Sequence, residues 1–431
     1  MLVVLPFRLV LSSGGGAPPS RAAQQALHLF SAVAGAAGVF WCFGPDTLHC
    51  FLTILATYLC MLVLGQTAAM VGIVFTGIFG HLLGCYLIHA TDSYDINFTT
   101  VQCVLALRLI GLAFDFYDGR IPTDKLTKDT VNSALPKLPS ILEVLGYAYF
   151  WGGVFVGPQF PIRRYQAFVS GTLFKPEQLR ESLVPALSRA ALGLVYIGVT
   201  PVLNGYFPQS YLFTDAFKAL PLLYRLAYLW GLCKAAFLSY VGVWLIAEAS
   251  CMLSGLSYNV ATKKWDGLAN IRVWKFETAT SLKACIESFN VNTNDWVARY
   301  IFKRLRFMNN KHFSSLSTLM FLALWHGFHI GYFICFLTEF VVVEIERRLR
   351  ADVMPRLTPI IPAPVLNIVC YIITTSTLHY ALIAFVLLSL SPIKEVYSSI
   401  YFIGHLVAVL LMMIPIPRVR HSQPETATKT E

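Results

Sequence analysis

The sequence predicts an all-α polytopic membrane protein. Hydrophobic residues make up 56% of the 431 residues and charged residues only 13%, whereas soluble domains carry about 25% charged residues. The mean hydropathy is +0.62. Apolar stretches close to the length of a spanning helix recur along nearly the whole chain. These observations favour one membrane-embedded helical domain over several soluble domains.

Composition divides the chain into three parts. Residues 1–25 contain a short apolar stretch followed by SSGGGAPPS, and we expect a flexible N-terminus there. Residues 26–417 hold the long apolar stretches and are expected to form the membrane-embedded domain. Residues 418–431 are polar and are expected to form a C-terminal tail.

Eleven apolar stretches are candidates for membrane spans, because a spanning helix needs about 20 apolar residues. The clearest are Ala26–Phe43, His49–Leu64, Ala68–His89 and Val101–Phe116. The shorter ones are Ile141–Val156, Leu187–Leu203 and Leu220–Leu238. The last are Val241–Leu256, Ser315–Val343, Ile360–Leu388 and Ile400–Pro415. Several runs abut one another or contain Gly or Pro, so we expect roughly eight to eleven spans.

Broken segments at membrane depth are tolerated only where they are buried in protein or line a cavity. The interrupted runs therefore predict re-entrant or interfacial helices around an internal chamber.

The formal net charge of +10 comes largely from polar connections between the apolar stretches. The longest, Ser257–Lys311, carries ten Lys and Arg against four Asp and Glu. Basic loops tend to face the cytosol, and they suit anionic substrates or lipid headgroups. Because the basic residues lie between apolar segments, we expect no nucleic-acid partner.

Within this segment, Trp296–Phe307 has the periodicity of an amphipathic helix. Arg299, Lys303 and Arg306 fall on one stripe. Two interpretations stay open: a helix lying in the membrane interface, or a helix packed on the protein surface with a solvated charged face.

The segment Ser315–Val343 is long enough to span and places His326 about 16 Å from its start, near mid-membrane. His329 follows at i+3, on the same face of a continuous helix. An ionisable residue at such depth is costly and by default functional. Two interpretations of His326 compete: a catalytic base that takes a proton from a hydroxyl, and a structural histidine bonded to a neighbouring helix. No third metal ligand of suitable spacing accompanies His326 and His329. The ten cysteines are interpreted as buried small hydrophobes, so no metal site is expected.

A catalytic base needs an orienting or oxyanion-stabilising partner, and Asn290 is the best candidate. An amide can donate a hydrogen bond to a developing oxyanion without bringing a charge into the membrane. Asn290, Asn292 and Asn294 alternate in SFNVNTNDW, so they could instead be turn residues.

Three stretches resemble motifs of the membrane-bound O-acyltransferase family. The stretch from Asn290 to Trp296 resembles its asparagine motif, and LALWHGFHIGY (Leu322–Tyr332) resembles its histidine motif. GYAYFWGGVFVGPQF (Gly146–Phe160) resembles its Phe-rich and Gly-Pro segment. Four further stretches resemble the branch that reacylates lysophospholipids: Leu107–Gly119, Val156–Phe160, Lys264–Thr278 and Phe289–Leu305. The resemblance runs from about Asp92 to the end, and the residues before about 90 match poorly.

The resemblance implies a helical fold around an internal chamber in the endoplasmic reticulum membrane. It implies transfer of an acyl group from acyl-coenzyme A, as co-substrate and without a cofactor, to the sn-2 hydroxyl of a lysophospholipid. Polyunsaturated chains and lysophosphatidylcholine are the expected preference, with lysophosphatidylethanolamine and lysophosphatidylserine as further acceptors. The family's catalytic histidine carries over to His326 and its asparagine to Asn290. Further substrate contacts are expected from residues in or near the motifs: Trp325, His329, Trp296, Asn292, Tyr149 and Gln159.

Two other functions stay open from the sequence. A buried histidine and broken helices also fit a polytopic transporter, and an enzyme of this family could acylate a protein. The patterns GxSxG and HExxH are absent, which disfavours serine hydrolases and zinc proteases. The oligomeric state is left open, with a homo-oligomer among the alternatives.

Overall fold

The computed structural model describes residues 4–13, 18–89, 91 and 96–415. Over these residues the regular structure is helical, with two isolated β-bridges and no strand. The first ten helices are α1 (Leu5–Ser13), α2 (Arg21–Phe43), α3 (Thr47–Leu64), α4 (Ala68–His89), α5 (Phe98–Asp118), α6 (Ile141–Ala148), α7 (Ile162–Val169), α8 (Gln178–Glu181), α9 (Leu183–Tyr206) and α10 (Asp215–Ala219). The second ten are α11 (Leu222–Ser254), α12 (Val273–Glu277), α13 (Leu282–Ile286), α14 (Val291–Val297), α15 (Lys311–His326), α16 (Ile330–Asp352), α17 (Met354–Leu357), α18 (Ala363–Leu387), α19 (Leu390–Ser399) and α20 (Ile403–Met413).

Six segments of the described chain are long and apolar enough to cross a membrane, or seven if the bent pair α19 and α20 is one span. They are Arg21–Leu64, Ala68–His89, Phe98–Asp118, Gln178–Phe213, Leu222–Ser254 and Ala363–Leu387. The helical membrane fold class is confirmed, but the number of such segments is lower than the eight to eleven predicted.

Four of the predicted spans are organised differently. Leu220–Leu238 and Val241–Leu256 merge into the 33-residue helix α11, because no helix-breaking residue separates them. Ile141–Val156 breaks after the short helix α6, where a Gly- and Pro-containing loop begins. Ser315–Val343 breaks between α15 and α16, and neither of these helices is among the spanning segments.

Residues 5–13, within the segment predicted to be a flexible N-terminus, form helix α1. Helix α1 packs into the core: Phe7 is fully buried and stacks on Phe168 with ring centroids 5.1 Å apart. Arg8 donates hydrogen bonds to Ser182 Oγ and to the carbonyl oxygen of Leu253. Residues 21–25 belong to α2. The predicted tail, residues 418–431, lies outside the described residues.

The predicted amphipathic helix Trp296–Phe307 is not a regular α-helix. Helix α14 ends at Val297 and continues as a π-turn (Ala298–Phe302) and a 3-10 turn (Lys303–Met308), so the 3.6-residue stripe is lost. Its basic side chains bind acidic ones: Lys303 pairs with Asp129, and Arg304 donates to Asp118. These contacts favour packing on the protein over lying in the membrane interface.

Two large apolar clusters stabilise the protein. The first cluster contains residues from each of the helices α1 through α7, together with Trp296, Val297 and Tyr300. The second contains residues from α11, α18 and α19. Helix α15 contacts α4, which belongs to the first cluster, and α16 contacts α18, which belongs to the second. The broken segment α15–α16 therefore lies between the two halves of the core.

Candidate active site

A cavity of about 970 Å³ lies among α11, α13, α14, α15, α16 and α18. This volume is at the upper end of the range typical of small-molecule sites. His326 and Asn290, which are 36 residues apart in sequence, both line it. The structure therefore brings the two predicted catalytic residues to one chamber.

His326 is the last residue of α15, and Gly327 ends the helix. Gly327 has φ +131°, a backbone conformation that favours glycine. The His326 ring is surrounded by aromatic side chains: it stacks on Phe336 with centroids 5.7 Å apart, and the ring of Phe385 meets it edge-on at 5.1 Å. These rings fix the plane of the imidazole.

The His326 imidazole is suited to act as a base. Among the described residues, no protein group hydrogen-bonds to its ring, so a ring nitrogen can meet a substrate hydroxyl. Burial lowers the pKa of His326 to about 4, because desolvation disfavours the charged form. The ring is therefore neutral at physiological pH and can accept a proton.

Trp325 holds the end of α15 in place. Its indole Nε1 donates a hydrogen bond to the carbonyl oxygen of Cys103 in α5 at 2.9 Å. The Trp325 carbonyl accepts one from the Tyr86 hydroxyl in α4 at 2.8 Å. Trp325 lines the cavity, but its only side-chain donor is already used inside the protein. Its geometry supports positioning of the adjacent His326.

His329 does not share a face with His326, as a continuous helix would require. The chain turns at Gly327, and His329 precedes the first residue of α16. Its ring contacts Tyr332, with centroids 5.8 Å apart. His329 is not among the described residues that line the cavity, because the break rotates it away from the axis of α15.

Asn290 adopts a left-handed backbone conformation, with φ +48°, at the N-terminus of α14. Its side-chain Oδ1 accepts a hydrogen bond from Asn270 Nδ2 at 3.2 Å. Within the described chain, the Asn290 Nδ2 group has no protein acceptor. With the carbonyl oxygen anchored, the two N–H donors of the amide are available to a group in the cavity.

A buried carboxylate fixes Asn270 in turn. Glu248 in α11 is fully buried, and its Oε1 accepts hydrogen bonds from the backbone N–H groups of Asn270 and Ile271 at 2.7 and 2.9 Å. Arg189 Nε in α9 lies 3.4 Å from the other carboxylate oxygen. A chain of polar contacts thus runs from α9 through α11 to the cavity wall, and the sequence motifs contained no sign of it.

Asn292 belongs to the same polar network and not to the cavity lining that the structure describes. Its Nδ2 donates to Asn270 Oδ1 at 3.1 Å and to the carbonyl oxygen of Leu268 at 3.3 Å. Trp296 is also absent from that lining. It is buried and stacks on Phe321, with centroids 5.9 Å apart. Both side chains pack α14 against its neighbours.

Tyr149 and Gln159 lie in the loop between α6 and α7, and neither is among the described cavity-lining residues. Both are buried, and Gln159 Nε2 donates to the carbonyl oxygen of Val104 at 2.9 Å. The fully buried Arg108 of α5 holds this loop through hydrogen bonds to four carbonyl oxygens, those of Tyr147, Ala148, Gly153 and Pro158. These contacts give the Gly- and Pro-rich segment a structural role.

Six charged residues that line the cavity are exposed to solvent. They are Arg272, Glu287, Asp295, Lys311, His312 and Arg347. Helix α16 runs from the aromatic residues around His326 to Arg347. The eleven residues from Phe336 to Arg347 cover about 16 Å at 1.5 Å per residue. The cavity therefore has a charged mouth and an aromatic interior.

Only some basic residues of the long polar segment reach the cavity. Lys275 and Lys283 pair with Glu287, and Lys303 and Arg304 pair with Asp129 and Asp118, as described above. Arg272 and Lys311 line the cavity and form no salt bridge within the described residues. The mouth also includes Arg347, which pairs with Glu344.

Glu339 was not identified from the sequence, although it lies in the segment that carries His326. It is one helical turn from Phe336 and lines the cavity. Burial raises its pKa to about 7, and no protein partner for its carboxyl group occurs among the described residues. Its position inside a long apolar run is the signal that could have identified it, because a buried acid is costly.

Comparison with known proteins agrees with these observations. Residues 83–383 match the family model described as "MBOAT, membrane-bound O-acyltransferase family". The chain is 40% identical to lysophospholipid acyltransferase 5 of Bos taurus over 408 residues, 91% of this chain and 83% of the relative. It is 36% identical to lysophospholipid acyltransferase 5 of Drosophila melanogaster, over 89% of this chain and 79% of the relative. It is 31% identical to a lysophospholipid acyltransferase of Schizosaccharomyces pombe, over 81% and 72%.

The first of these alignments also includes part of the chain before residue 90. It leaves out only 9% of the 431 residues, about 39 residues. The similarity therefore extends well before residue 90, where the sequence predicted a poor match.

Proposed function

The chain belongs to the membrane-bound O-acyltransferase family and is a multi-pass membrane acyltransferase, and from this premise we propose that it acylates the sn-2 hydroxyl of lysophospholipids with acyl-coenzyme A as donor. The observation that carries the proposal is the placement of His326 and Asn290 on the wall of one cavity. The neutral imidazole and the free amide donors supply a base and an oxyanion partner.

The reaction follows from these two groups. The His326 imidazole accepts the proton of the lysophospholipid hydroxyl as its oxygen attacks the thioester carbonyl carbon. The Asn290 amide donates a hydrogen bond to the oxyanion that develops on the carbonyl oxygen. The C–S bond then breaks, and the imidazolium returns the proton to the departing thiolate. The products are a diacyl phospholipid and coenzyme A.

The charged mouth suits the nucleotide end of the donor. Arg272 and Lys311 are exposed and unpaired among the described residues, and Arg and Lys side chains bind phosphates well. From Arg347 the cavity extends about 16 Å along α16 to the level of Phe336. This length suits the long, linear part of acyl-coenzyme A that joins its phosphates to its thioester. The apolar and aromatic interior suits a fatty acyl chain.

The acceptor is proposed from the relatives. Those cited above are named lysophospholipid acyltransferases, and a lipid acceptor suits a cavity embedded in a membrane protein. We extend the proposal to a preference for lysophosphatidylcholine and polyunsaturated acyl chains, and to residence in the endoplasmic reticulum membrane. The chemistry needs no metal or cofactor, because the thioester is already activated.

The test uses the purified full-length protein in detergent with arachidonoyl-coenzyme A and lysophosphatidylcholine. Free thiol and new phosphatidylcholine are measured together. We expect both products at equal rates, and loss of both in His326→Ala. His329→Ala is the matched control, because it removes a neighbouring histidine outside the cavity lining and should retain activity. Full activity in folded His326→Ala would disprove the assigned base.

The substitution Asn290→Ala distinguishes two possible roles of Asn290, as an oxyanion donor or as a structural turn residue. Loss of one oxyanion donor lowers kcat by roughly 10² to 10³, whereas a structural turn residue should change kcat only a few-fold while lowering the melting temperature. The two effects are read from kcat and thermal unfolding of the same preparation.

Two alternatives make different predictions. A transporter, left open by the sequence, is not supported by membership of an acyltransferase family, and it would release no thiol. An enzyme with a protein acceptor would release thiol with a peptide and form no phosphatidylcholine. Competition between the lipid and a peptide acceptor therefore distinguishes the two acyltransferase functions.

A further inference from the structure

Three potential metal ligands meet in the helical hairpin formed by α3 and α4, apart from the residues that line the cavity. His49 lies in the first turn of α3, and His81 and Cys85 are one turn apart on α4. One ligand atom of each lies within 4.8 Å of those of the other two. We propose that His49, His81 and Cys85 form a zinc-binding site in which water is the fourth ligand.

The distances suit tetrahedral zinc. Zinc binds histidine nitrogen at about 2.0–2.1 Å and cysteine sulfur at about 2.3 Å, so a nitrogen and a sulfur at the tetrahedral angle are about 3.6 Å apart. Cys85 Sγ and His81 Nε2 are 3.6 Å apart. A ring nitrogen of His49 lies within 4.8 Å of both of these atoms. Two imidazoles and one thiolate are ligands that zinc prefers.

The surroundings hold His49 towards the other two ligands. Its ring stacks on that of His81, with centroids 5.3 Å apart, and on the buried ring of Phe98 at 5.0 Å. In the described part of the chain, no protein group hydrogen-bonds to the His49 ring. A partly buried imidazole without such a partner is free to bind an ion.

Charge balance favours a divalent cation. Asp46 directly precedes α3, and its side chain forms no capping hydrogen bond to that helix. When zinc binds, the thiol loses its proton to solvent and the Zn–S bond forms. The thiolate cancels one of the two charges of the ion, which lowers the cost of placing the ion in a low-dielectric environment.

The site has a mechanical connection to the cavity. Cys85 is followed by Tyr86, whose hydroxyl donates to the carbonyl oxygen of Trp325, and Trp325 precedes His326. Zinc bound between α3 and α4 would restrain the helix that positions the end of α15. The ion therefore stabilises the fold and takes no part in the reaction.

The test uses full-length protein in detergent with its affinity tag removed, stripped with a chelator and reloaded with Zn²⁺ or Co²⁺. We expect one metal per chain by elemental analysis. We also expect a thiolate-to-cobalt charge-transfer band in the near ultraviolet and a zinc-dependent rise in melting temperature. All three should be lost in His81→Ala and Cys85→Ser. Cys60→Ser, on the same hairpin but outside the cluster, is the matched control and should retain them.

The wild-type measurements decide the proposal even if a variant fails to fold. Substoichiometric metal, or no cobalt charge-transfer band in folded wild-type protein, would overturn it. So would a cobalt band that persists in Cys85→Ser. A disulfide between Cys85 and its neighbour Cys50, found by non-reducing mass spectrometry, would also overturn it, because the thiolate ligand would be consumed.

Discussion

Asn270 should influence the reaction although it is absent from the described lining of the cavity. Its side-chain Nδ2 donates to Asn290 Oδ1 at 3.2 Å, and its Oδ1 accepts from Asn292. The substitution Asn270→Ala removes the hydrogen bond that orients the Asn290 amide. Because Asn290 is proposed to act on the oxyanion, the loss should appear in kcat and leave KM for acyl-coenzyme A nearly unchanged.

The expected magnitude follows from that one hydrogen bond. A neutral hydrogen bond contributes about 1 kcal/mol, and about 1.4 kcal/mol corresponds to a tenfold change in rate. If the bond biases Asn290 towards its productive rotamer by this amount, kcat should fall about fivefold. The upper limit is the roughly 10²-fold loss expected for removing the Asn290 amide itself.

The assay is steady-state acylation of lysophosphatidylcholine by purified Asn270→Ala, with folding checked by thermal unfolding. The control Asn292→Ala removes the other amide bound to Asn270 but leaves the bond to Asn290, so its kcat should stay close to that of the wild type. The reasoning is refuted if folded Asn270→Ala has wild-type kcat. It is equally refuted if Asn292→Ala loses as much activity.

Three more predictions concern packing and titration. Gly35→Ala would place a Cβ 1.6 Å from the carbonyl oxygen of Tyr149 and should cost about 3 kcal/mol or more. The control Gly84→Ala meets nothing within 4 Å, and both are compared by melting temperature. Because burial lowers the pKa of His326 to about 4, kcat/KM should show no acid limb near pH 6.5 and should fall only as the pH drops towards 4. Burial raises the pKa of Glu339 to about 7, so its carboxyl group is neutral at pH 6, as the amide of Glu339→Gln is. The variant should retain activity at pH 6 and should lose any change in kcat/KM that the wild type shows near pH 7. Loss of activity at pH 6 would contradict this.

Part of the candidate site could be predicted from the sequence. His326 and Asn290 were found because a histidine within a long apolar run is costly and because both lie in recognisable motifs. The residues around them in those motifs were less informative. Trp325 reaches the cavity, whereas Trp296, Asn292 and His329 make contacts elsewhere in the described structure. Proximity in sequence does not decide which side of a helix a residue faces once the helix is broken.

The break at Gly327 shows the limit of periodicity. Ser315–Val343 has the composition of one spanning helix, so counting residues placed His326 and His329 on one face. The structure ends α15 at His326 and starts α16 four residues later, at Ile330. The left-handed conformation at Gly327 is permitted by the residue type, and aromatic side chains pack around the preceding His326.

The helical membrane fold class, the family and the two residues at the centre of the proposed reaction could all be predicted from the sequence. These depend on local properties: apolar runs, their lengths and short motifs. The polar contacts that connect Glu248 to Asn290 through Asn270, and the choice of basic residues that line the mouth, emerge from the folded structure alone. It alone brought His49 to His81 and Cys85. Such contacts join residues that are distant in sequence, and helix packing sets them because buried polar groups must find partners wherever the fold places them.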